Sequence, residues 1–358
     1  MKKLTLFLVL ALVASLFTGC AGTPVVYYTN CTCPVEAHEE ASPAPPEAPA
    51  ATEAPAPVEG ALKTGMALVT GIDESKSAEG ENPGEAKYNV TVVAVTLDEN
   101  DRIVECIIDG ITHSVKFDAA GNLTTELGAV ATKNELGENY GMKNISPIGK
   151  EWYEQAAALA AFAVGKTAEE LRSGAIDETG YAPAGSDLAT SATIYLGGYV
   201  SAIESAAANA QSLGAQAGDV LRYSVIAKNE SSVAGNAQLD VEVAVVTMNG
   251  ETITSCVIDA VQAKVAFDAS GVITTDLTAP VKTKNELGPD YGMVAYNGAI
   301  AEWNEQAASF AAYVTGKTPA EVAGIAIDET THPTEADLAT SVTIAIGGFQ
   351  ALIAKAAQ

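Results

Sequence analysis

Residues 132–137 read Thr-Lys-Asn-Glu-Leu-Gly, and the same six residues return in the same order at 283–288. The repetition extends outward from this hexapeptide to 140–142 and 291–293, to 176–179 and 327–330, and to 187–193 and 337–343. A repeat interval of about 150 residues is the length of a domain with its own core, and is much longer than a solenoid unit. The sequence therefore predicts two tandem copies of one domain, over residues 61–210 and 215–358.

Each copy is predicted to begin with strands and to end with helices. Short apolar runs between turn residues predict the strands, and apolar residues at helical spacing predict a helix over 151–164. Thr167 and Thr318 begin segments of capping-box form, and Pro319 suits the first position of a helix. The predicted strands are 88–97, 103–109 and 114–117, repeated at 239–248, 252–259 and 264–267, and the last helices are 196–208 and 346–357. This order predicts an α+β fold, with an antiparallel or mixed sheet packed with helices in each copy.

The N-terminal segment is predicted to stay outside the folded copies. Two lysines precede an apolar run over 4–17, which is too short to span a membrane and is typical of an export signal. The ending at Cys20 resembles a bacterial lipobox, which implies removal of residues 1–19 and lipidation of Cys20. The alternative is an ordinary secretory signal with a chance cysteine. Residues 20–60 are rich in Pro, Ala and Glu, so we expect a disordered and extended tether.

Charge and side-chain composition exclude several classes of function. The formal net charge of −26 excludes electrostatic binding to nucleic acid. His38, His113 and His332 occupy no matching positions in the two copies, so a histidine metal site or a Ser-His-Asp triad duplicated with the domain is excluded. Cys106 and Cys256 do match, and they lie in apolar runs. Such cysteines predict packing in the core rather than catalysis.

The two heptapeptides that end the repetition carry the one chemically specific pattern. Both are small, polar turns that finish on threonine shortly before a predicted helix. A hydroxyl in such a turn commonly caps the helix, and the unpaired amides of a helix start also attract phosphate. The first heptapeptide resembles the D-x-x-[ST]-[GS]-A-[ST] signature of FMN-binding domains of the RnfG/NqrC type, at Asp187, Thr190, Ser191, Ala192 and Thr193.

The resemblance implies a covalently bound flavin. In that family a flavin transferase esterifies the FMN phosphate to the last hydroxyl of the signature, which corresponds to Thr193 and, in the second copy, to Thr343. The expected cofactor is therefore FMN, at one or two sites per chain. Val342 stands where the signature has alanine, and we expect its branched side chain, beside the acceptor, to crowd the transferase. The other matching residues of the second copy are Asp337, Thr340 and Ser341.

The hexapeptide of each copy is a looser match to the same family. It resembles the family's E-T-P-G-L-G segment, which lines the isoalloxazine ring together with a downstream tryptophan. Asn134 and Glu135 depart from the Thr-Pro pair of that segment. The resemblance implies flavin-lining roles for Glu135, Leu136, Gly137, Glu286, Leu287 and Gly288, with Trp152 and Gln155 following in the first copy.

Taken together, these features predict an extracytoplasmic electron carrier rather than a stand-alone catalyst. The chain resembles the two-flavin lipoproteins of extracellular electron transfer in Gram-positive bacteria. The resemblance implies attachment to the outer face of the cell membrane through lipid on Cys20, and two protein partners, a flavin transferase and a membrane redox protein. The alternative is a non-redox surface lipoprotein, whose related domains bind a small ligand, a wall polymer or a protein.

Overall fold

The computed structural model describes residues 60–358 of the chain. The predicted signal peptide, Cys20 and the tether up to residue 59 lie outside the described residues. The strands are β1 (Lys63–Gly71), β2 (Gly84–Leu97), β3 (Ile103–Phe117), β4 (Ala129–Val130), β5 (Val220–Lys228), β6 (Asn236–Asn249) and β7 (Thr252–Ala266). They form one sheet of order β1-β2-β3 and a second of order β4-β5-β6-β7, with every neighbouring pair antiparallel. The predicted α+β fold is confirmed, and its sheets are antiparallel rather than mixed.

Helices follow the strands in residues 61–210 and again in residues 215–358, which we call the first and second halves. Glu151 caps the long helix of the first half, and Thr167 and Thr318 form the predicted capping boxes of two later helices. In the part of the chain from residue 60 onward, no helix is long and apolar enough to cross a membrane. The helices are α1 (Lys133–Leu136), α2 (Trp152–Ala163), α3 (Ala168–Ala175), α4 (Gly197–Ala208), α5 (Lys284–Leu287), α6 (Met293–Asn297), α7 (Trp303–Val314), α8 (Pro319–Ala323), α9 (Ala336–Ala339) and α10 (Gly347–Ala356).

Both faces of each sheet carry buried apolar side chains. In β2, Val93 and Val95 contribute to a core shared with α2, α3 and α4, whereas Val90 and Val92 face the second sheet. The second sheet has a matching core with α7, α8 and α10. A third core joins the two sheets, and Phe117 stacks on Phe267 within it. The halves therefore share apolar burial in addition to the helix-side core of each.

The strand after the first turn is longer than the sequence predicts. We expected a break between residues 109 and 114, but β3 runs without interruption through Asp109 and Gly110 to Phe117. The corresponding break in the second half is also wrong, because β7 is continuous from Thr252 to Ala266. Asp109 has the residue type of a turn, but its backbone is extended and pairs with Val92 of β2. Its carboxylate accepts a hydrogen bond from Asn134, which lies 25 residues later in the chain.

The chain crosses between the halves just before each hexapeptide. Strand β4 belongs to the first half, yet it pairs with β5 of the second half through Ala129 and Val130. Val281, in the matching stretch of the second half, forms a reciprocal bridge to Thr70 of β1. Each hexapeptide is thereby drawn toward the boundary between the two sheets.

Candidate functional site

Thr193 is held by Gln155, a fully buried residue of α2. The Gln155 Oε1 atom accepts hydrogen bonds from the Thr193 N–H at 2.8 Å, from its hydroxyl at 3.3 Å, and from the Ile194 N–H at 3.2 Å. The second half repeats this arrangement, because Gln306 Oε1 accepts from the Thr343 N–H at 2.7 Å and from its hydroxyl at 3.2 Å. Thr193 is half-buried and Thr343 is exposed. A buried glutamine thus fixes each threonine turn against the preceding long helix.

The residue before each threonine packs inward. Ala192 and Val342 are 1% and 0% exposed, and both belong to the core between a sheet and its helices. The crowding that we expected from Val342 is wrong, since the branched side chain lies in the core while Thr343 stays exposed. Any difference between the two threonine sites has to come from other residues.

A cavity of about 790 Å³ includes Thr193 in its wall. Trp152 donates its indole N–H to the Tyr199 hydroxyl at 3.0 Å, and the two ring centroids are 5.8 Å apart. Tyr140 packs edge-on against Trp152 at 6.5 Å. The wall also includes Tyr181, Tyr195, Ile194 and Gly198. Its volume and aromatic lining are those of a small-molecule site, and Thr193 and Thr91 are the threonines on its wall.

A cation lies within this aromatic wall. The Lys133 Nζ atom is 4.8 Å from the ring centroid of Trp152 and 5.2 Å from that of Tyr140. Burial lowers the pKa of Lys133 to about 8, although the negative charge of Asp109 opposes the change. The ammonium group is therefore still mostly protonated at neutral pH. Asp73 and Glu74 also line the cavity, so its wall combines flat aromatic surfaces with one ammonium group and two carboxylates.

The corresponding space in the second half is smaller, and its wall includes Asp240 and Glu242 together with Lys228 and Lys284. Glu242 occupies the strand position that Thr91 has in the first half, and it lines a cavity of only about 220 Å³. A Cβ added at Gly348 would lie 2.8 Å from a Glu242 carboxylate oxygen, whereas one added at Gly198 would meet nothing within 4 Å. The carboxylate thus covers the first turn of α10, where the first half leaves the start of α4 open. The aromatic pair Tyr181 and Tyr195 is replaced by His332 and Ala345.

The hexapeptides form capped helical turns. In the first, Thr132 Oγ1 accepts from the Glu135 N–H at 3.2 Å, and Glu135 Oε2 accepts from the Thr132 N–H at 2.8 Å. Gly137 ends the turn with φ of +51°. The structure brings Lys133, rather than Glu135, Leu136 or Gly137, into the wall of the cavity beside Thr193. Glu286, Leu287 and Gly288 occupy the same capped turn in the second half.

Hydrogen bonds to the sheet explain why the hexapeptide carries asparagine. The Asn134 N–H donates to the buried carboxylate of Asp109 at 3.0 Å, and its side-chain amide donates to the Ile108 carbonyl at 3.0 Å. The same amide donates to the Tyr223 hydroxyl at 2.8 Å, and this hydroxyl donates to Asp109 at 2.9 Å. Asn285 repeats the bonds to Asp259 and Ile258. Folding alone therefore accounts for much of the hexapeptide.

The other heptapeptide residues shape the turn. The Asp187 carbonyl accepts from the Thr190 N–H at 3.2 Å and from its hydroxyl at 2.7 Å. The Thr340 hydroxyl donates to the Asp337 carbonyl at 2.8 Å. Both aspartate side chains are exposed, and Thr193 is the one residue of the first heptapeptide on the cavity wall. Ser191 and Ser341 continue these turns through their N–H bonds to Leu188 and Leu338.

Cys106 and Cys256 are the cysteines of the described residues, and neither forms a disulfide. Burial raises the pKa of Cys106 and of Cys256 to about 12, which keeps both thiols protonated and poorly nucleophilic. Across residues 60–358, no group of three or more His, Cys, Asp or Glu side chains is arranged to hold a metal ion.

Sequence reasoning found Thr193, Trp152 and Gln155 but missed two features of the site. It gave no role to Lys133, although this lysine lies within the quoted hexapeptide. It also missed the tyrosines after the heptapeptide, Tyr195 and Tyr199, whose spacing of four residues was the available signal. Comparison with protein-family models, with curated proteins and with solved structures finds no match to this chain.

Proposed function

We propose that this chain is an extracytoplasmic flavoprotein that carries electrons through FMN esterified to Thr193. The observation that carries the proposal is the position of the Thr193 hydroxyl, which lies on the wall of an aromatic cavity of about 790 Å³. The heptapeptide signature that ends at Thr193 gives the cavity its expected ligand. Attachment to the membrane through lipid on Cys20 belongs to the same proposal and depends on the lipobox-like ending of the N-terminal segment.

The volume and the aromatic side chains of the cavity fit a flavin in size and shape, and Lys133 supplies one positive charge beside the carboxylates of Asp73 and Glu74. Trp152, Tyr140 and Tyr199 would pack against a planar ring system. Lys133 would stabilise negative charge on the ring or on the phosphate. FMN would supply the one- and two-electron redox chemistry, while these residues would orient it and exclude water.

Gln155 would act as a positioning residue for the ester. Its Oε1 atom holds the Thr193 N–H at 2.8 Å, which fixes the backbone of the acceptor. The hydroxyl is held less tightly, at 3.3 Å, so it could leave this contact when an oxygen–phosphorus bond forms. The first turn of α4 begins four residues later, at Gly197, and its unpaired amides favour an anion nearby.

The first half supports the proposal better than the second. The Glu242 carboxylate lies over the start of α10, so a phosphate on Thr343 would meet a like charge there. Thr91 places no charge at the corresponding position of the first half. We therefore propose one flavin per chain, on Thr193.

The proposal requires two protein partners outside the chain. A flavin transferase would form the ester from FAD: the Thr193 oxygen would replace AMP on the FMN phosphorus, the pyrophosphate bond would break, and the hydroxyl proton would be released. A membrane redox protein would exchange electrons with the bound FMN. The net charge of −26 would repel acidic surfaces, so the contact with the redox partner would involve a neutral or basic face of that protein.

A surface lipoprotein without a cofactor is the second candidate. Thr343 and Gln306 repeat the hydrogen bonds of Thr193 and Gln155, although neither residue lines the cavity of about 220 Å³ in the second half. The threonine turn is thus useful for folding by itself, and the aromatic cavity would then bind a small ligand without an ester.

Co-expression of the full chain with a flavin transferase and FAD tests the proposal. After denaturing electrophoresis, we expect flavin fluorescence on the wild type, on Thr193→Ser and on Thr343→Ala, and none on Thr193→Ala. The Thr343→Ala variant is the matched control, because it removes the same hydrogen bond in the other half. Absence of flavin from the wild type, or equal fluorescence after Thr193→Ala, would overturn the proposal in favour of the second candidate.

A further inference from the structure

The two halves differ at one buried contact on the boundary between the sheets. Tyr223 lies on β5 of the second half and reaches the first half. Its hydroxyl donates to Asp109 at 2.9 Å and accepts from Asn134 at 2.8 Å. Tyr223 pairs with Val245 of β6. The corresponding pair in the other sheet is Met66 with Ala94. Met66 of β1 therefore occupies the position that corresponds to Tyr223 of β5, and it brings no hydroxyl to Asp259.

Asp259 consequently lacks the phenol that its counterpart has. Asp259 is 7% exposed, and its carboxylate accepts from the Ala260 N–H at 2.7 Å and from the Asn285 N–H at 3.1 Å. The Asn285 amide donates to the Ile258 carbonyl at 3.0 Å, as Asn134 does to Ile108. Methionine donates no hydrogen bond, so the tyrosine's part in this network has no equivalent within residues 60–358.

A second contact is lost at the same place. Lys355 of α10, in the second half, forms an ion pair with Glu135 of the first half and donates to the Val225 carbonyl at 2.5 Å. The matching position on α4 is Ser205, whose hydroxyl donates to the Ser201 carbonyl of its own helix. Glu286, the counterpart of Glu135, forms no salt bridge among the described residues.

A cavity of about 350 Å³ lies where these two side chains are missing. Its wall brings together the groups that tyrosine and lysine would contact, namely the side chains of Asp259, Asn285 and Glu286, with Met66, Leu68 and Ser205 around them. Leu68 has the register position of Val225, whose carbonyl binds Lys355 in the other half. The contacts of Tyr223 and Lys355 therefore indicate which groups a ligand of this cavity would carry, namely a phenol hydroxyl and an ammonium group.

We propose that this cavity binds a small phenol that carries a protonated amine. Its hydroxyl would donate to Asp259 and accept from the Asn285 amide, as Tyr223 does with Asp109 and Asn134. Its ammonium group would pair with Glu286, as Lys355 does with Glu135. The two carboxylates also favour a cation over a neutral or anionic ligand. The inference is independent of flavin binding, because the residues concerned are not part of the cavity beside Thr193.

Calorimetric titration with tyramine tests the site, using the full chain and the Thr193→Ala variant at pH 7.5. We expect binding with a dissociation constant of about 1 mM or lower. Phenethylamine lacks the hydroxyl and p-cresol lacks the amine, so each should bind at least about tenfold more weakly. Absence of tyramine binding, or equal binding of the three compounds, would overturn the proposal.

Two substitutions fill the cavity from the protein side. Met66→Tyr supplies the phenol and Ser205→Lys supplies the amine, so each should weaken tyramine binding at least about tenfold. Their folding is checked by thermal unfolding, and the Ser205→Lys variant keeps the test decisive if the larger Met66→Tyr change fails to fold. Ser201→Lys, at an exposed position of the same helix, is the matched control and should leave tyramine binding unchanged. Full tyramine affinity in a folded Ser205→Lys variant would contradict the assigned site.

Discussion

Phe117 and Phe267 stack face to face across the two sheets, with ring centroids 3.7 Å apart and planes inclined by 4°. Both side chains are almost fully buried, at 0% and 4% exposure. They occupy matching positions, since Phe117 ends β3 and Phe267 directly follows β7. The pair therefore couples the two halves through the core that they share.

Truncation of this pair should destabilise both halves together. Phe117→Ala removes a buried ring and should cost about 3–5 kcal/mol of unfolding free energy. The chain has two tryptophans, Trp152 in the first half and Trp303 in the second. Single-tryptophan variants therefore report urea unfolding of each half separately. We expect Phe117→Ala to lower both midpoints, although the residue lies in the first half.

The exposed Tyr296 supplies a control for that experiment. It is 86% exposed, so Tyr296→Ala should leave both midpoints nearly unchanged. A Phe117→Ala variant that lowers only the Trp152 midpoint would show that the halves unfold independently and would contradict the coupling.

Local hydrogen bonds were predictable from the sequence, and contacts between distant segments were not. Thr167 and Glu170 form a capping box within a single turn, so three-residue spacing was enough to place the start of α3. The sequence predicts that a strand ends at Asp109, because aspartate is uncommon inside strands. Its carboxylate instead accepts from Asn134, which lies 25 residues later, and that partner could not be read from the residues around Asp109.

The asymmetry of the two threonine sites was hidden for the same reason. The sequence comparison attributed it to Val342, which is next to the acceptor in the chain but is buried in the core. The structural difference lies at Glu242, which is about 100 residues away in sequence and reaches the start of α10 across the sheet. The packing of helices on the sheet has to be known before such a residue can be recognised.

Removal of the Tyr223 hydroxyl, which bonds across the boundary between the halves, should destabilise the fold. The hydroxyl donates to Asp109, which is 1% exposed, so Tyr223→Phe leaves a buried carboxylate without this donor. We expect a loss of about 1–3 kcal/mol, measured by urea unfolding. Met66→Leu, at the equivalent position of β1, is the matched control and should change stability by less than about 1.5 kcal/mol. An equal effect of the two substitutions would exclude a special role for the hydroxyl.

Asp259 should make stability depend on pH in the acid range. Burial raises its pKa from an ordinary value of 3.8 to about 6, with hydrogen bonds from Asn285 and Ala260 acting in the opposite direction. Between these two pH values the folded chain holds a proton that the unfolded chain releases. The contribution of Asp259 to stability therefore falls as the pH rises from about 4 to about 6, and its full cost is on the order of 3 kcal/mol above that range.

The Asp259→Asn variant checks this sign. It should remove the pH-dependent loss and be more stable, relative to wild type, at pH 7 than at pH 4. Asp268 is the contrasting control, because hydrogen bonds from Ser270 and Val272 hold its pKa below the ordinary value. Asp268→Asn should therefore lower stability more at pH 7 than at pH 3. Wild-type and Asp259→Asn stabilities that run parallel from pH 4 to pH 7 would refute the assignment.

An exchange of Thr91 and Glu242 should move flavin between the halves, if the proposed ester to Thr193 forms. Thr91→Glu places a carboxylate on the wall of the first cavity and should reduce flavin on Thr193 by roughly fivefold, the ratio that about 1 kcal/mol of like-charge repulsion produces. Glu242→Thr removes the carboxylate that covers the first turn of α10 and should raise flavin from one toward two per chain, with the added flavin lost on Thr343→Ala.

Flavin absorbance per denatured chain gives the stoichiometry, and Glu251→Thr, in an exposed turn, is the control for charge alone. A stoichiometry that stays the same in both variants would mean that Glu242 does not decide which threonine is used.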